Sequence, residues 1–248
     1  MRSNILRLKK DDIKTIQGFI ALYDILGYSP WIKENDLSTV VIDHKNMNEM
    51  IRVNTENRIN NWPDKPNTLT IKVYNYADTF LIYTNEISDI SFMVLLIACE
   101  NMFIAAFDYC LPIRGATACG EFYVSEDSNL ITGKPIIEAY EQERKQDWIG
   151  CWITDECLNK VSKVAYQEFI NERKIIKYPI PLKSGTVREV YAYNWVTTLF
   201  KNKDIVNLDF LETKSFLQKR KSHEWSEERK HKNTKDFISF VLNRNQYS

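Results

Sequence analysis

The sequence lacks a net charge, because 33 lysines and arginines balance 33 aspartates and glutamates over its 248 residues. A protein that binds nucleic acid or an anionic membrane through its overall electrostatic field needs an excess of positive charge. The balanced composition therefore disfavours both kinds of partner, although a local basic site stays possible. Repeats and low-complexity segments are also missing, and 44% hydrophobic residues are enough for a sizeable core.

Cysteine is scarce and has no metal-binding pattern. The five residues form an odd number without C-x-x-C spacing, which argues against a disulfide framework and a zinc site; they are Cys99, Cys110, Cys119, Cys151 and Cys157. We expect them to be core thiols in a reducing compartment. Residues 1–17 are charged and lack the apolar segment of a signal peptide, and we expect no stretch to span a membrane. The composition predicts a soluble, cytoplasmic protein.

Two apolar stretches each contain one carboxylate. GFIALYDILGY, residues 18–28, carries Asp24, and TIKVYNYADTFLIYT, residues 70–84, carries Asp78. Both stretches are typical of buried strands, and an ionised carboxylate is costly to bury unless a cation faces it. Two carboxylates on neighbouring strands suit a divalent cation that prefers oxygen ligands. The sequence therefore predicts a metal site, with Asp24 and Asp78 close together.

Both aspartates could also have ordinary structural roles. Asp24 could end its strand as the N-cap of the next helix, and Asp78 could lie in a hairpin turn. Gly27 follows Asp24 at a predicted strand-to-helix junction, where backbone N–H groups favour anions. We therefore expect residues 25–28, and Leu26, Gly27 and Tyr28 in particular, to face a triphosphate.

The remaining segments alternate between helical and strand patterns. The apolar spacing predicts helices over residues 31–61, 88–109, 155–173 and from about 133, strands over 113–124 and 148–154, and a hairpin over 175–195. The segment WPDKPN, residues 62–67, is the clearest break. Strands with helices between them predict an α+β fold with a mainly antiparallel sheet flanked by helices.

Four motifs in order resemble the class III nucleotidyl cyclase domain. They are DILGY at 24–28, YAD at 76–78, IRGATACGEF at 113–122 and GKPIIEAYEQE at 133–143. The resemblance covers about residues 15–196 and is most similar to the bacterial pyrimidine cyclases of Pycsar anti-phage defence. It implies a catalytic domain over 1–200 with a ferredoxin-like core, followed by a helical extension over 201–248.

The resemblance also implies an activity. The chain would convert UTP, or CTP, to the 3′,5′-cyclic nucleotide and pyrophosphate, with two Mg²⁺ or Mn²⁺ ions on Asp24, Asp78 and the Ile25 carbonyl. It would work as a homodimer with sites at the interface, and its product would activate a separate effector.

The residues that would read the base and neutralise the transition state depart from the family pattern. Tyr74 stands four residues before Asp78, where purine cyclases have a lysine; its hydroxyl suits a smaller pyrimidine, or it packs as an ordinary strand residue. Ile137 and Glu141 stand where the family has Asn and Arg. Arg144, one turn beyond Glu141, could substitute or be an exposed helix cation. Further candidates for phosphate contact, each with a surface or turn role as the alternative, are Lys134, Arg114 and Lys183.

Two other functions stay open. The missing Asn and Arg would fit a degenerate cyclase domain that binds nucleotide or a partner without turnover. A dinucleotide-forming enzyme has less support, because the chain contains no G-G-D-E-F-like run. The segment 211–235 has eight Lys or Arg against four Glu. It is expected to be a solvated extension packed through Phe210, Leu211, Phe216 and Leu217, or a partner-binding tail.

Overall fold

One sheet of eight strands organises the part of the chain that the computed structural model describes, residues 13–62, 69–125, 127–200 and 225–245. The strands are β1 Ile16–Ile25, β2 Ile71–Tyr76, β3 Thr79–Thr84, β4 Ile113–Ser125, β5 Leu130–Gly133, β6 Gly150–Ile153, β7 Ile175–Pro181 and β8 Val187–Tyr193. The helices are α1 Tyr28–Glu34, α2 Leu37–Asn60, α3 Asp89–Asp108, α4 Lys134–Lys145, α5 Asp155–Asn159, α6 Lys163–Asn171, α7 Trp195–Phe200 and α8 Trp225–Asn245.

The first four strands form a ferredoxin-like core. Their order in the sheet is β2-β3-β1-β4, all antiparallel, with α1 and α2 joining β1 to β2 and α3 joining β3 to β4. Beyond β4 the sheet continues through β6, which is parallel to β4, to the hairpin of β7 and β8, while β5 pairs with the far end of β4. The predicted α+β class with a mainly antiparallel sheet flanked by helices is confirmed.

The two faces of the sheet are covered by different helices. Because side chains alternate along a strand, Phe19, Ala21 and Tyr23 of β1 join the core with α2 and α3, whereas Ile20 and Leu22 join a smaller cluster with α4. Asp24 has the parity of Ile20 and Leu22. It therefore belongs to the face that α4 covers.

Helix α3 is apolar on all sides. Its N-cap Ser88 forms a reciprocal capping box with Ser91, and most of its side chains are buried against the sheet and α2. The expectation that no stretch is long and apolar enough to span a membrane is wrong for this helix, whose mean hydropathy reaches 2.1 in one window. Within the fold, however, 72% of that window is buried, as in a core helix.

Three predicted elements are divided. The single strand predicted over 70–84 is the β2–β3 hairpin, because Ala77 adopts a left-handed backbone conformation (φ 52°) between the strands and leaves Asp78 in the turn. The helix predicted over 31–61 is divided into α1 and α2, since Asp36 caps α2 by accepting a hydrogen bond from the Thr39 N–H. Ser162 likewise caps α6, which separates it from α5.

The C-terminal helix α8 packs on the core. Phe237 is fully buried, with its ring 4.7 Å from Trp148 and 5.8 Å from Trp195. The residues predicted to make this contact, Phe210, Leu211, Phe216 and Leu217, lie outside the described residues. The hairpin predicted over 175–195 is present as β7 and β8.

Candidate active site

Asp24 and Asp78 lie at the same corner of the sheet. Asp24 is near the end of β1, opposite Thr79 of β3 and Arg114 of β4. The Ile25 N–H donates a 2.9 Å hydrogen bond to the Asp78 carbonyl, which holds the β2–β3 turn beside the end of β1. The two side chains are close enough for the Asp78 carboxylate to raise the pKa of Asp24. Asp24 is thus not the N-cap of α1, which is Gly27, whereas Asp78 does occupy a hairpin turn.

The β2–β3 turn is braced by a neighbouring side chain. Asn75 donates from its amide to the carbonyls of Ala77 and Thr79, both at 3.3 Å. Asp78 is half-buried in this turn. The brace fixes the backbone on both sides of Asp78, so its carboxylate is held by the hairpin rather than by a strand interior.

Asp24 is short of positive charge. Its side chain is 27% exposed, and burial raises its pKa to about 7, with the negative charges of Glu143 and Asp78 adding to the rise and Arg114 opposing it. Arg114 thus offsets only part of the rise that burial and the two neighbouring carboxylates cause. Among the described residues, the negative charge at this corner is therefore incompletely balanced.

Arg114 is the nearest cation, but its principal partner is another carboxylate. The guanidinium is 4% exposed and donates from Nε to Glu143 Oε1 at 2.5 Å and from Nη1 to the Gln146 carbonyl at 2.9 Å. Its Nη2 lies 3.5 Å from Asp24 Oδ2, longer than a normal hydrogen bond. Burial raises the pKa of Glu143 even against this pairing. One guanidinium is thus shared between two carboxylates.

The donors at this corner suit a hard divalent cation. Asp24 and Asp78 offer carboxylate oxygens, which Mg²⁺ and Mn²⁺ prefer, and their mutual repulsion is the kind that such a cation relieves. Among the residues that the structure describes, no group of three or more His, Cys, Asp or Glu side chains is arranged to hold a metal. A cation here would therefore complete its coordination with backbone, water or substrate oxygens, as Mg²⁺ commonly does.

The two backbone N–H groups that follow Asp24 are already hydrogen-bonded within the protein. The Ile25 N–H is donated to Asp78, and the Leu26 N–H is donated to the Pro112 carbonyl at 2.7 Å. Both hydrogens thus already have protein acceptors, and a contact of residues 25–28 with a triphosphate stays a prediction. Gly27, with a left-handed backbone (φ 68°), and Tyr28 at the start of α1 keep their predicted place beside the corner. Burial and then Asp78 raise the pKa of Tyr28.

Several basic side chains besides Arg114 lie near Glu143. Lys183 is an exposed residue of the β7–β8 turn, yet partial burial of its ammonium group lowers its pKa. Arg114, Lys230 of α8 and Arg144 lower it further, whereas Glu143 opposes the shift. The site thus has an acidic end at Asp24 and a cationic end around Lys183, joined by the Arg114–Glu143 pair. Charge separation of this kind suits a metal-bound polyphosphate.

The predicted base-reading and transition-state residues have local partners. Tyr74 is half-buried and stacks on Tyr83, with ring centres 5.9 Å apart and planes 4° apart. It lies on the same sheet face as Asp24, but two strands away across β3 and one row of side chains along the strands. Arg144 is exposed on α4 and donates to the Tyr140 hydroxyl at 2.8 Å. These contacts are the ones expected of a packed strand residue and an exposed helix cation.

The positions that depart from the family pattern are exposed. Ile137 is 59% exposed, and Glu141, one turn further along α4, is exposed as well. Lys134 begins α4 at its first position. None of these three side chains has a contact that links it to Asp24 in the described part of the chain.

Glu143 is the site residue that the sequence motifs do not reveal. It follows Ala139 by four residues, so both lie on the buried face of α4 with Pro135. A single acidic residue on an otherwise apolar helix face requires a buried cation opposite it. That spacing, read together with the arginine of the IRG run, is the signal that could have revealed the pair.

The fold and the site define an α+β domain with a paired-carboxylate corner and an adjoining cationic cluster. The sequence matches no family model and no curated protein. Among solved structures, the chain is similar to the catalytic core of a rhodopsin-guanylyl cyclase with converted specificity in complex with ATPαS, at 14% identity and a TM-score of 0.46, covering 74% of this chain and 98% of that one.

Adenylate cyclases from Trypanosoma brucei in their monomeric state are also similar. One has 12% identity and a TM-score of 0.43 and covers 72% of this chain and 89% of its own; another has 13% identity and a TM-score of 0.42 and covers 71% and 87%. Similarities of this size carry no argument about what the chain does. The function of the chain must therefore be inferred from its own residues.

Proposed function

We propose that the chain is a nucleotidyl cyclase that converts a nucleoside triphosphate to a 3′,5′-cyclic mononucleotide and pyrophosphate. The observation that carries the proposal is that the sheet brings Asp24 and Asp78 to the same corner, where burial and neighbouring negative charge raise the pKa of Asp24 beside a buried arginine. Arg114 is shared with Glu143 and neutralises this pair only in part, so a pair of Mg²⁺ or Mn²⁺ ions held with the substrate phosphates and the Ile25 carbonyl would complete the balance of charge.

The acidic and the basic residues of the site would have different roles in the reaction. In the reaction the ribose 3′-oxygen attacks the α-phosphorus, the bond to the oxygen bridging to the β-phosphate breaks, and the hydroxyl proton leaves to solvent. Asp24 and Asp78 would hold the metal ions, which lower the pKa of the 3′-hydroxyl and neutralise the α-phosphate. Lys183 would bind the β- and γ-phosphates, and the charge of Arg114, which is buried against Glu143, would help to stabilise the departing pyrophosphate without contacting it.

A pyrimidine base is the proposed specificity, with UTP before CTP. Tyr74 supports it by position, because it shares the sheet face of Asp24 and offers one hydroxyl where a lysine would favour a purine. The cyclic product would serve as a messenger in anti-phage defence and activate a separate effector in the cytoplasm. Replacing Tyr74 with Phe tests the base contact: loss of discrimination between UTP and ATP supports it, and an unchanged ratio of kcat/KM values contradicts it.

A homodimer with shared sites is part of the proposal. Arg144 is exposed on α4, next to Tyr140 and near the exposed Ile137, so this helix presents a cation and apolar groups to a second copy. Mixing an Asp24→Asn variant with an Arg144→Ala variant tests the arrangement. If each is inactive alone, random exchange should restore about a quarter of the wild-type activity at shared sites. No recovery would mean that each site is contained in one chain.

The activity itself is tested with purified protein, Mn²⁺ and each of the four nucleoside triphosphates, with products identified by mass. A cyclic mononucleotide supports the proposal, and a linked dinucleotide or only a hydrolysed nucleotide contradicts it. No product with any metal, combined with nucleotide binding, would favour a degenerate cyclase domain. That alternative is supported by the exposed Ile137 and Glu141, which cannot supply the amide and guanidinium of the family pattern.

Matched variants assign the activity to the corner. Asp24→Asn and Asp78→Asn each remove one negative charge and should each reduce kcat by on the order of a thousandfold or more, because a metal site loses a ligand. Glu189→Gln is the control, since Glu189 pairs with Lys177 on the surface of the β7–β8 hairpin. Equal activity in all three variants would exclude the carboxylate pair as the metal site.

A further inference from the structure

Residues 145–149, here the bridging segment, connect α4 to β6 and contact both cations of the proposed triphosphate site. The Gln146 carbonyl accepts from Arg114 Nη1 at 2.9 Å, and the Lys145 carbonyl accepts from the Lys183 N–H at 2.8 Å. The Asp147 N–H donates to the Pro181 carbonyl at 3.0 Å. A displacement of the bridging segment would therefore move Arg114 and the β7–β8 turn together.

Hydrogen bonds of a buried side chain also hold the bridging segment against β4. The Gln146 side chain is fully buried; it donates to the Gly115 carbonyl at 2.8 Å and accepts from the Trp148 indole N–H at 2.9 Å. Gly115 directly follows Arg114 in β4. The segment thus holds the arginine at its side chain and at the adjoining backbone.

Helix α8 closes the other side of the bridging segment. Asn233 donates to the Asp147 carbonyl at 2.7 Å, and the Thr234 hydroxyl accepts from the Ile149 N–H at 3.0 Å. Arg229 pairs with the Asp147 carboxylate, which is 2% exposed, and Phe237 packs on Trp148. Three consecutive turns of one helix therefore contact the bridging segment.

We propose that α8 is a positioning element of the triphosphate site, with Arg229 and Asn233 acting through the bridging segment on Arg114 and Lys183. The inference rests on the proposed function, because it assigns the triphosphate to these two cations. The geometry explains why a helix outside the ferredoxin-like core carries polar groups aimed at buried backbone: without them the Asp147 carboxylate and carbonyl would lose their partners among the described residues. Lys230, on the same helix, is close enough to lower the pKa of Lys183.

Two variants of the full chain test the proposal, Arg229→Gln and the double variant Arg229→Gln with Asn233→Ala. Loss of Arg229 removes the ion-pair partner of the buried Asp147 carboxylate and should lower the melting temperature, so the folding of each variant is first checked by circular dichroism. Lys232→Gln is the control, because Lys232 is exposed on the same helix and its change removes the same charge. The measurements are KM and kcat with the nucleotide that the protein turns over, and calorimetric binding of inorganic tripolyphosphate, all well below the melting temperature of the least stable variant.

The double variant should raise KM and the Kd for tripolyphosphate about tenfold, the effect of losing charge-assisted hydrogen bonds that hold a binding group, while kcat changes less. Arg229→Lys should recover part of the loss. An unchanged KM and Kd with a lower melting temperature would make α8 a purely structural support and overturn the proposal. The same loss in Lys232→Gln would also overturn it, because general charge would then be the cause.

The two proposals fail separately. If the wild-type protein cyclises a nucleotide and the α8 variants bind tripolyphosphate normally, the positioning role is wrong and the cyclase function stands. If the wild-type protein shows no turnover but binds tripolyphosphate, and the double variant binds it about tenfold more weakly, the positioning role stands and the cyclase function is wrong. A wild-type protein that neither turns over nucleotide nor binds tripolyphosphate would overturn both.

Discussion

Replacing Asp24 with Asn should stabilise the metal-free protein while it abolishes activity. The folded protein raises the pKa of Asp24 from 3.8 to about 7, chiefly through burial and then through Glu143. A carboxyl group with a raised folded-state pKa binds its proton more tightly in the folded protein than in the unfolded chain. The wild-type protein therefore loses stability as the pH rises from about 4 to about 7, and the loss is complete above that range.

The size of the effect follows from the shift. One pKa unit corresponds to about 1.4 kcal/mol, so a shift of about three units sets an upper limit of about 4 kcal/mol. The side chain is 27% exposed, and solvent screening reduces the expected effect to about 1–2 kcal/mol. Asparagine keeps the size of the side chain and carries no charge at any pH. At pH 8 the variant should exceed the wild type by that amount, and its melting temperature should be higher by about 2–8 °C.

The assay is urea unfolding of both proteins in the presence of a chelator, at about pH 4.5 and about pH 8, with the Glu189→Gln variant as the control. The difference between wild type and Asp24→Asn should be small at the lower pH, where Asp24 is protonated in the folded protein and partly so in the unfolded chain. Added Mn²⁺ should then stabilise the wild type at pH 8 by mass action, and the variant much less.

One result would refute this reasoning. If Asp24→Asn is less stable than the wild type at pH 8 by several kcal/mol, as expected when one member of a buried ion pair is removed, then Asp24 is the structural counter-ion of Arg114. Arg114 would then balance the negative charge of Asp24, and the corner would not attract a metal ion. The proposed function would lose the observation on which it rests.

Three further changes test the packing around the site. Gly18→Ala should cost about 1–3 kcal/mol, because the new Cβ would lie 2.0 Å from the Thr84 carbonyl oxygen; a urea midpoint equal to that of the wild type would contradict this. Phe103→Ala should cost about 3–5 kcal/mol, because the fully buried ring leaves a cavity between α3 and the core; thermal unfolding measures it, and a cost below about 1 kcal/mol would show that the core collapses around it. Glu143→Gln should cost about 3 kcal/mol, because Arg114 would keep a buried charge with a neutral partner; calorimetry checks this, and a neutral effect would mean that Asp24 takes over the arginine.

The sequence predicts the elements well where periodicity is strong. Helix α3 and the β7–β8 hairpin follow from a long apolar run and from a turn with strand patterns on both sides. It predicts them poorly where a turn interrupts a continuous apolar pattern. The β2–β3 hairpin stays one of two alternatives for Asp78, because Ala77 is not a residue that usually marks a left-handed turn, and only the pairing of the strands within the sheet requires one there.

Some residues of the candidate site can likewise be predicted from the sequence, and others cannot. Asp24 and Asp78 can be found from sequence, because a lone carboxylate in an apolar strand pattern is conspicuous whatever the fold. Glu143 and the contacts of α8 cannot be found so directly, since their importance depends on groups distant in the chain. Glu143 is 29 residues from Arg114, and Arg229 is 82 residues from Asp147.

The α+β class, the two acidic positions in apolar stretches and the apolar core helix could all be read from the chain before folding, because burial and periodicity are local properties. Which charges meet is a result of three-dimensional packing. Because α4 packs against β4, Arg114 forms its main ion pair with Glu143 rather than with Asp24. Because α8 packs against residues 145–149, the C-terminal helix is connected to the site. Coulombic and hydrogen-bonding partners are set by distances in space, and sequence separation does not encode those distances.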